Sequence, residues 1–279
     1  MNTMFTKAKA LIQSLRINVT ILGLLSAYIG GLIAGASFFS IPLLLSTVVV
    51  FLIGAGSMPL NDYFDRKIDA ISHPERPIPK KIIKAKSVLY FSFVLFAIAT
   101  VISYFINPLC FGIALFSLIF LVGYELLFKN YGFAGNITVA FLSSMAFTFG
   151  GAAVGNPLAS ILFSVITFFL FIGIEVFKDV HDMKGDLLSR KTLPMRIGEK
   201  KAVLVGASGL IIAVLLTPLP YIIYGFNVSY LAFMILVDVL WLYGAMITIK
   251  DIQKTDYTVK LLKKAAGIAL IAIIIGAFL

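Results

Sequence analysis

Nine stretches of the chain stay apolar for about the 20 residues that a helix needs to cross a bilayer. They run over 18–38, 40–60, 87–106, 108–128, 134–154, 158–178, 202–220, 228–249 and 263–279. Ahead of them, Lys7, Lys9 and Arg16 are interleaved with Phe5, Leu11, Ile12 and Leu15. That pattern predicts a short amphipathic helix lying in the membrane interface over residues 1–17. No small-residue cleavage site follows it, so it does not read as a removable signal peptide. The pattern predicts an all-α integral membrane protein of nine transmembrane helices, forming a single domain over 1–279.

The polar residues sort by the same division. With the stretches numbered in order, all 23 Lys and Arg fall before the first or after the second, fourth, sixth and eighth. The connections on the other side carry none. This partition fits the positive-inside rule, with the N-terminus cytoplasmic and, for nine helices, the C-terminus outside. The two long connections, roughly 61–86 and 179–201, lie on the cytoplasmic side. The opposite connections (Asn107-Pro108, Gly155-Asn156-Pro157, Pro218-Leu219-Pro220) read as plain turns.

Composition narrows the classes further. Hydrophobic residues make up 60% and charged residues 13%, against about 25% charged in soluble domains. That excludes an ordinary soluble enzyme and a disordered chain. The net charge of +10 belongs to the membrane topology, so no nucleic-acid partner is expected. The lone Cys110 excludes a disulfide framework and a cysteine zinc site. The two histidines, His73 and His181, read as loop residues.

The acids carry the chemistry. D-x-x-D-x-x-x-D occurs after the second stretch, at Asp62, Asp65 and Asp69, and again after the sixth, at Asp179, Asp182 and Asp186. Glu175 stands one turn before the second copy. If the helices continue through these residues, offsets −4, 0, 3 and 7 share one face, in a column about 10 Å tall. Carboxylates so placed repel each other, and a divalent cation removes the conflict. Mg²⁺ takes oxygen ligands, typically one or two carboxylates with phosphate oxygens and water. Two facing columns therefore predict Mg²⁺ ions holding a diphosphate at the cytoplasmic mouth of a helical bundle. Only Asp238 lies deep in a span, and it is expected to face the bundle interior.

The stretches NDYFDRKIDAISHPERPIP (Asn61–Pro79) and EVFKDVHDMKGD…KTLPMRIGEK (Glu175–Lys200) resemble those of the UbiA family of intramembrane prenyltransferases. They look most like archaeal members that act on geranylgeranylglyceryl phosphate. The resemblance implies a bundle around a central, lipid-accessible cavity. It implies transfer of an isoprenyl group from a diphosphate donor to a lipid-like acceptor, with Mg²⁺, for archaeal ether-lipid synthesis. Carried onto this chain, it implies metal binding by Asn61, Asp62, Asp65, Asp69, Glu175, Asp179, Asp182 and Asp186. The Y-x-x-x-K motif of the family falls on Tyr124 and Lys129, with one extra residue between them. Lys67, Arg76, Lys129, Lys178 and Lys184 are candidate diphosphate partners, Arg as a bidentate donor and Lys as a point charge.

Other readings stay open at this point. An aromatic acceptor, as in quinone, chlorophyll or haem pathways, would use the same donor site. A cation-coupled transporter would use Asp238 and the loop acids, and a non-catalytic lipid-binding scaffold would need no metal.

Overall fold

The computed structural model describes residues 3–186 and 190–279; the side chains of Thr3, Met4, Val19, Ser72, Lys184 and Asp186 also lie outside the described residues. Every regular element among the described residues is a helix. In order the α-helices are α1 (Thr3–Ser14), α2 (Ile17–Ile33), α3 (Ile41–Phe64), α4 (Arg66–Ser72), α5 (Ala85–Ile106), α6 (Pro108–Leu126), α7 (Phe133–Ala153), α8 (Ile161–Asp186), α9 (Leu193–Ile197), α10 (Glu199–Leu216), α11 (Leu219–Tyr224), α12 (Val228–Lys250) and α13 (Thr255–Phe278), with short 3₁₀ turns at Phe128–Asn130, Pro157–Ser160 and Ile252–Lys254.

Among the described residues, eight helices are long and apolar enough to cross a membrane, against nine stretches in the sequence. The difference lies in the first stretch. Its helix, α2, has 17 residues, about 26 Å at 1.5 Å per residue. That is short of an apolar core about 30 Å thick. The chain leaves the helix at Ala34 and turns through Gly35, at φ 98°, a conformation glycine adopts freely. The turn Pro218-Leu219-Pro220 proves to open the short helix α11.

The helices pack largely in chain order. Helix α3 lies on α5, α5 on α6, α6 on α7, α7 on α8, α8 on α10 and α10 on α12; α13 closes the bundle against α12, α8 and α2. Helix α7 sits deepest, touching α2, α3, α6 and α8. Most of its inward residues are small, among them Gly135, Ala140, Ser144, Ala146, Gly150 and Gly151, with Phe147 and Phe149 as the large exceptions. A methyl group on Gly30 would run into the Phe147 carbonyl, and one on Gly150 into the Ala27 carbonyl. The backbones of α2 and α7 therefore touch, the close approach that small residues permit between membrane helices.

Phe105, Ile119, Leu215 and Ile222 are exposed on the outside, as a lipid-facing surface requires. Asp238 turns inward: its Oδ2 accepts a 2.8 Å hydrogen bond from Thr217 Oγ1. The adjoining Tyr230 hydroxyl donates to the Thr217 carbonyl at 2.7 Å.

Candidate functional site

The two carboxylate motifs are built differently. Helix α3 carries Asn61 and Asp62 in its last turn and stops at Phe64. Asp65 (φ −82°, ψ 0°) caps that end, and α4 restarts at Arg66 to present Asp69. The continuous column expected from the spacing is therefore broken at Asp65. At the break, the Arg66 guanidinium donates to the Tyr63 carbonyl at 2.6 Å and lies 4.6 Å over the Tyr63 ring. The second column is unbroken, because α8 runs on through Glu175, Asp179 and Asp182 to Asp186.

Asp62, Asp69 and Asp179 are buried, and a buried carboxylate needs a partner. Asp62 pairs with Arg16 and, at 3.5 Å, with Arg76. Asp69 takes Arg76 at 2.6 Å. Asp65 takes Lys129 at 2.6 Å. Asp179 accepts from Asn136 Nδ2 at 2.8 Å. Glu175 takes Lys178 at 2.8 Å on its own helix. The repulsion expected within each column is offset here by cations and amides of the chain itself.

Lys129 joins the two motifs. Only 9% of it is exposed, and it pairs with Asp65 of the first motif. It also lines a small pocket with Tyr124, Asn136, Arg190 and the second motif's Glu175 and Asp179. The short α4 packs on α8 as well. The extra residue between Tyr124 and Lys129 is absorbed where α6 gives way to a single tighter turn over Phe128–Asn130. Lys129 Nζ still reaches 5.8 Å from the Tyr124 ring centroid. Glu125 holds it from beneath: Oε2 lies 3.0 Å from Lys129 Nζ, and Oε1 accepts from Asn61 Nδ2 at 2.9 Å.

Of the candidate residues, Asn61, Asp62, Asp65, Asp69, Arg76, Tyr124, Lys129, Glu175 and Asp179 join this polar assembly. Asp182 is half exposed, with His181 at 4.0 Å, and Lys67 faces outward. Lys178 is spent on Glu175. Lys184 and the carboxylate of Asp186 lie outside the described residues. Arg16, Glu125, Asn136 and Arg190 were not among the candidates. Glu125 stands four residues before Lys129, a spacing that pairs acid with base on a helix. Asn136 is an amide within an apolar stretch. Arg16 carries no such signal, because it meets Asp62 from 46 positions away.

The donor set fits Mg²⁺. The atoms on offer are carboxylate and amide oxygens, which a hard cation prefers. The Asn136 Oδ1, beside Asp179, is buried without a partner. Among the described residues, no three acids, histidines or cysteines already converge into a metal cage.

Residues 23–274 match the model of the UbiA prenyltransferase family. A digeranylgeranylglyceryl phosphate synthase of Methanosarcina mazei is 39% identical over 233 residues, 82% of this chain and 80% of that protein. A solved structure from work on digeranylgeranylglyceryl phosphate synthase in membranes superposes with a TM-score of 0.79 at 33% identity, covering 97% of this chain and 98% of that one. A UbiA homolog from Archaeoglobus fulgidus, solved with GPP and Mg²⁺ bound, gives 0.72 at 17% identity, covering 97% and 100%. At that identity it speaks for the shared fold.

Proposed function

This chain belongs to the UbiA prenyltransferase family, and on that footing we propose that it is a geranylgeranyl transferase of ether-lipid synthesis. The donor is geranylgeranyl diphosphate, the acceptor geranylgeranylglyceryl phosphate, and pyrophosphate is released. The observation that carries this reading is Lys129. It stands between Asp65 and the pocket of Glu175 and Asp179, where an anion bridging both motifs would lie.

The reaction breaks the C–O bond of an allylic diphosphate and forms a C–O bond to the acceptor hydroxyl, whose proton passes to the departing pyrophosphate or to water. Negative charge gathers on the departing pyrophosphate, so catalysis is mostly electrostatic stabilisation of that group. Mg²⁺, when bound, neutralises part of that charge. Asp62, Asp65, Asp69, Glu175, Asp179, Asp182 and Asp186, with Asn61, are the oxygens proposed to hold it, directly or through water. Lys129 and Arg76 each lie against these carboxylates and would supply positive charge to the phosphate oxygens of a diphosphate held there. Tyr124 packs beneath Lys129 and fixes where its charge sits. Lys67, Lys178 and Lys184 are secondary phosphate contacts in this reading.

The topology proposed with it is that of one domain with nine crossings. Helix α2 counts as a short crossing flanked by its turn at Gly35. The N-terminus and the carboxylates face the cytoplasm, Leu279 faces outside, and the prenyl tails occupy a central cavity open to lipid. The same site could serve an aromatic acceptor, but the surplus of basic residues on the site's face favours an acceptor carrying its own phosphate.

Reconstituted protein, labelled geranylgeranyl diphosphate and each acceptor in turn test the reading. Labelled lipid phosphate is expected with geranylgeranylglyceryl phosphate and Mg²⁺, and none with EDTA. Product only with an aromatic acid would overturn the acceptor.

A further inference from the structure

Asn136 stands on α7, outside both carboxylate motifs, and is 5% exposed. Its Nδ2 donates to Asp179 Oδ2 at 2.8 Å. An ionised carboxylate only accepts, so that bond sets the amide: nitrogen toward Asp179, oxygen away from it. The oxygen has no hydrogen-bond partner and no solvent access, yet the residue lines the pocket with Lys129, Glu175 and Asp179. A buried acceptor left unmade costs about 1–3 kcal/mol. Holding Asp179 needs only the nitrogen, so the fold alone has no use for the oxygen.

We propose that Asn136 faces the ligand: Oδ1 is an oxygen ligand, direct or through one metal-bound water, of the divalent cation that accompanies the diphosphate, while Nδ2 fixes Asp179 as its neighbour. This rests on the prenyl-diphosphate reading of the site. It adds to that site a residue from the deepest helix of the bundle, which neither acidic motif contains. The cation supplies the partner that the buried oxygen lacks, and the amide fixes one Asp179 oxygen, leaving the other to be presented to the cation.

The test uses the full chain in lipid nanodiscs. Free Mn²⁺ is read by electron paramagnetic resonance in the presence of inorganic pyrophosphate. Asn136→Asp keeps an oxygen and loses the bond to Asp179; Asn136→Leu loses both at similar volume. Asn136→Ala is the second apolar variant should the leucine fail to fold, with thermal unfolding as the check. The apolar variants are expected to weaken Mn²⁺ binding about 10–100-fold, and Asn136→Asp to bind far closer to the unaltered protein. Equal binding by all would show that the oxygen serves only a buried water. Equal loss by Asp and Leu would show that only the bond to Asp179 matters. Either result overturns the inference while leaving the diphosphate site standing. Failure of the unaltered protein to retain Mn²⁺ with pyrophosphate would sink the diphosphate reading itself, and this inference with it.

Discussion

Lys129 Nζ lies 2.6 Å from Asp65 Oδ1, across 64 positions of sequence, in a site that leaves the lysine 9% exposed. In the proposed function, this buried ammonium held by a motif carboxylate is the cation set beside the diphosphate. Lys129→Met removes that charge at nearly unchanged volume. Loss of one electrostatic donor to a developing anion costs about 10²–10³ in kcat. Steady-state prenyl transfer is expected to fall by that order, with more loss in kcat than in the donor KM.

Glu125 sets where that charge points. Glu125→Gln keeps an oxygen for Asn61 but turns an N–H toward Lys129, so the lysine loses one of its two carboxylates. Truncating one partner of a buried charge pair costs about 3–5 kcal/mol; here Asp65 remains as a partner. Chemical denaturation is therefore expected to show a smaller loss than for Glu125→Ala, which strands the Asn61 amide as well.

Metal and pyrophosphate together should stabilise the fold. A ligand that binds only the native state adds about 2.7 kcal/mol at 100 times its Kd. Thermal unfolding of detergent-solubilised protein is expected to shift upward with Mg²⁺ plus pyrophosphate. It should shift little with either alone, and EDTA should reverse the gain. An equal shift with pyrophosphate alone would mean that Arg76 and Lys129 hold the anion without metal.

Helices α2 and α7 leave no room where they cross. Gly150→Val would drive a side chain into the Ala27 carbonyl, and overpacking of this kind costs about 1–3 kcal/mol or more. The variant is expected to unfold at lower temperature than Gly112→Val, where a methyl meets nothing.

Asp238 separates transfer from transport. It bonds Thr217 inside the bundle, and that pair belongs to neither carboxylate motif. Asp238→Asn is expected to keep prenyl transfer and to cost about 1 kcal/mol of stability. Loss of cation uptake into sealed vesicles, with transfer intact, would revive the carrier reading.

Much of this was legible along the chain. Apolar runs locate helices such as α7 (Phe133–Ala153) within a residue or two of the expected 134–154, because lipid demands satisfied backbone and apolar length together. The spacing of the acids picked out Asp62, Asp65, Asp69, Glu175 and Asp179, which the folded chain gathers into one polar assembly. The break at Asp65 was not legible, since the spacing of the acids is the same whether or not the helix runs on through them. Nor was Arg16, read as an interfacial charge, which reaches Asp62 only once α2 and α3 are folded side by side. Gly35 ends α2 early, although the apolar run continues to residue 38. Asn136 carries no signal in the sequence, because its partner Asp179 lies on α8, 43 positions away.

The most direct test of the proposed site is a structure determined with Mg²⁺ and a non-hydrolysable thio-analogue of geranylgeranyl diphosphate. The diphosphate is expected between Asp65 and Asp179, with Lys129 on its oxygens and metal bridging to both motifs. A diphosphate held by one motif alone, with the other facing away, would contradict the shared site and the mechanism built on it.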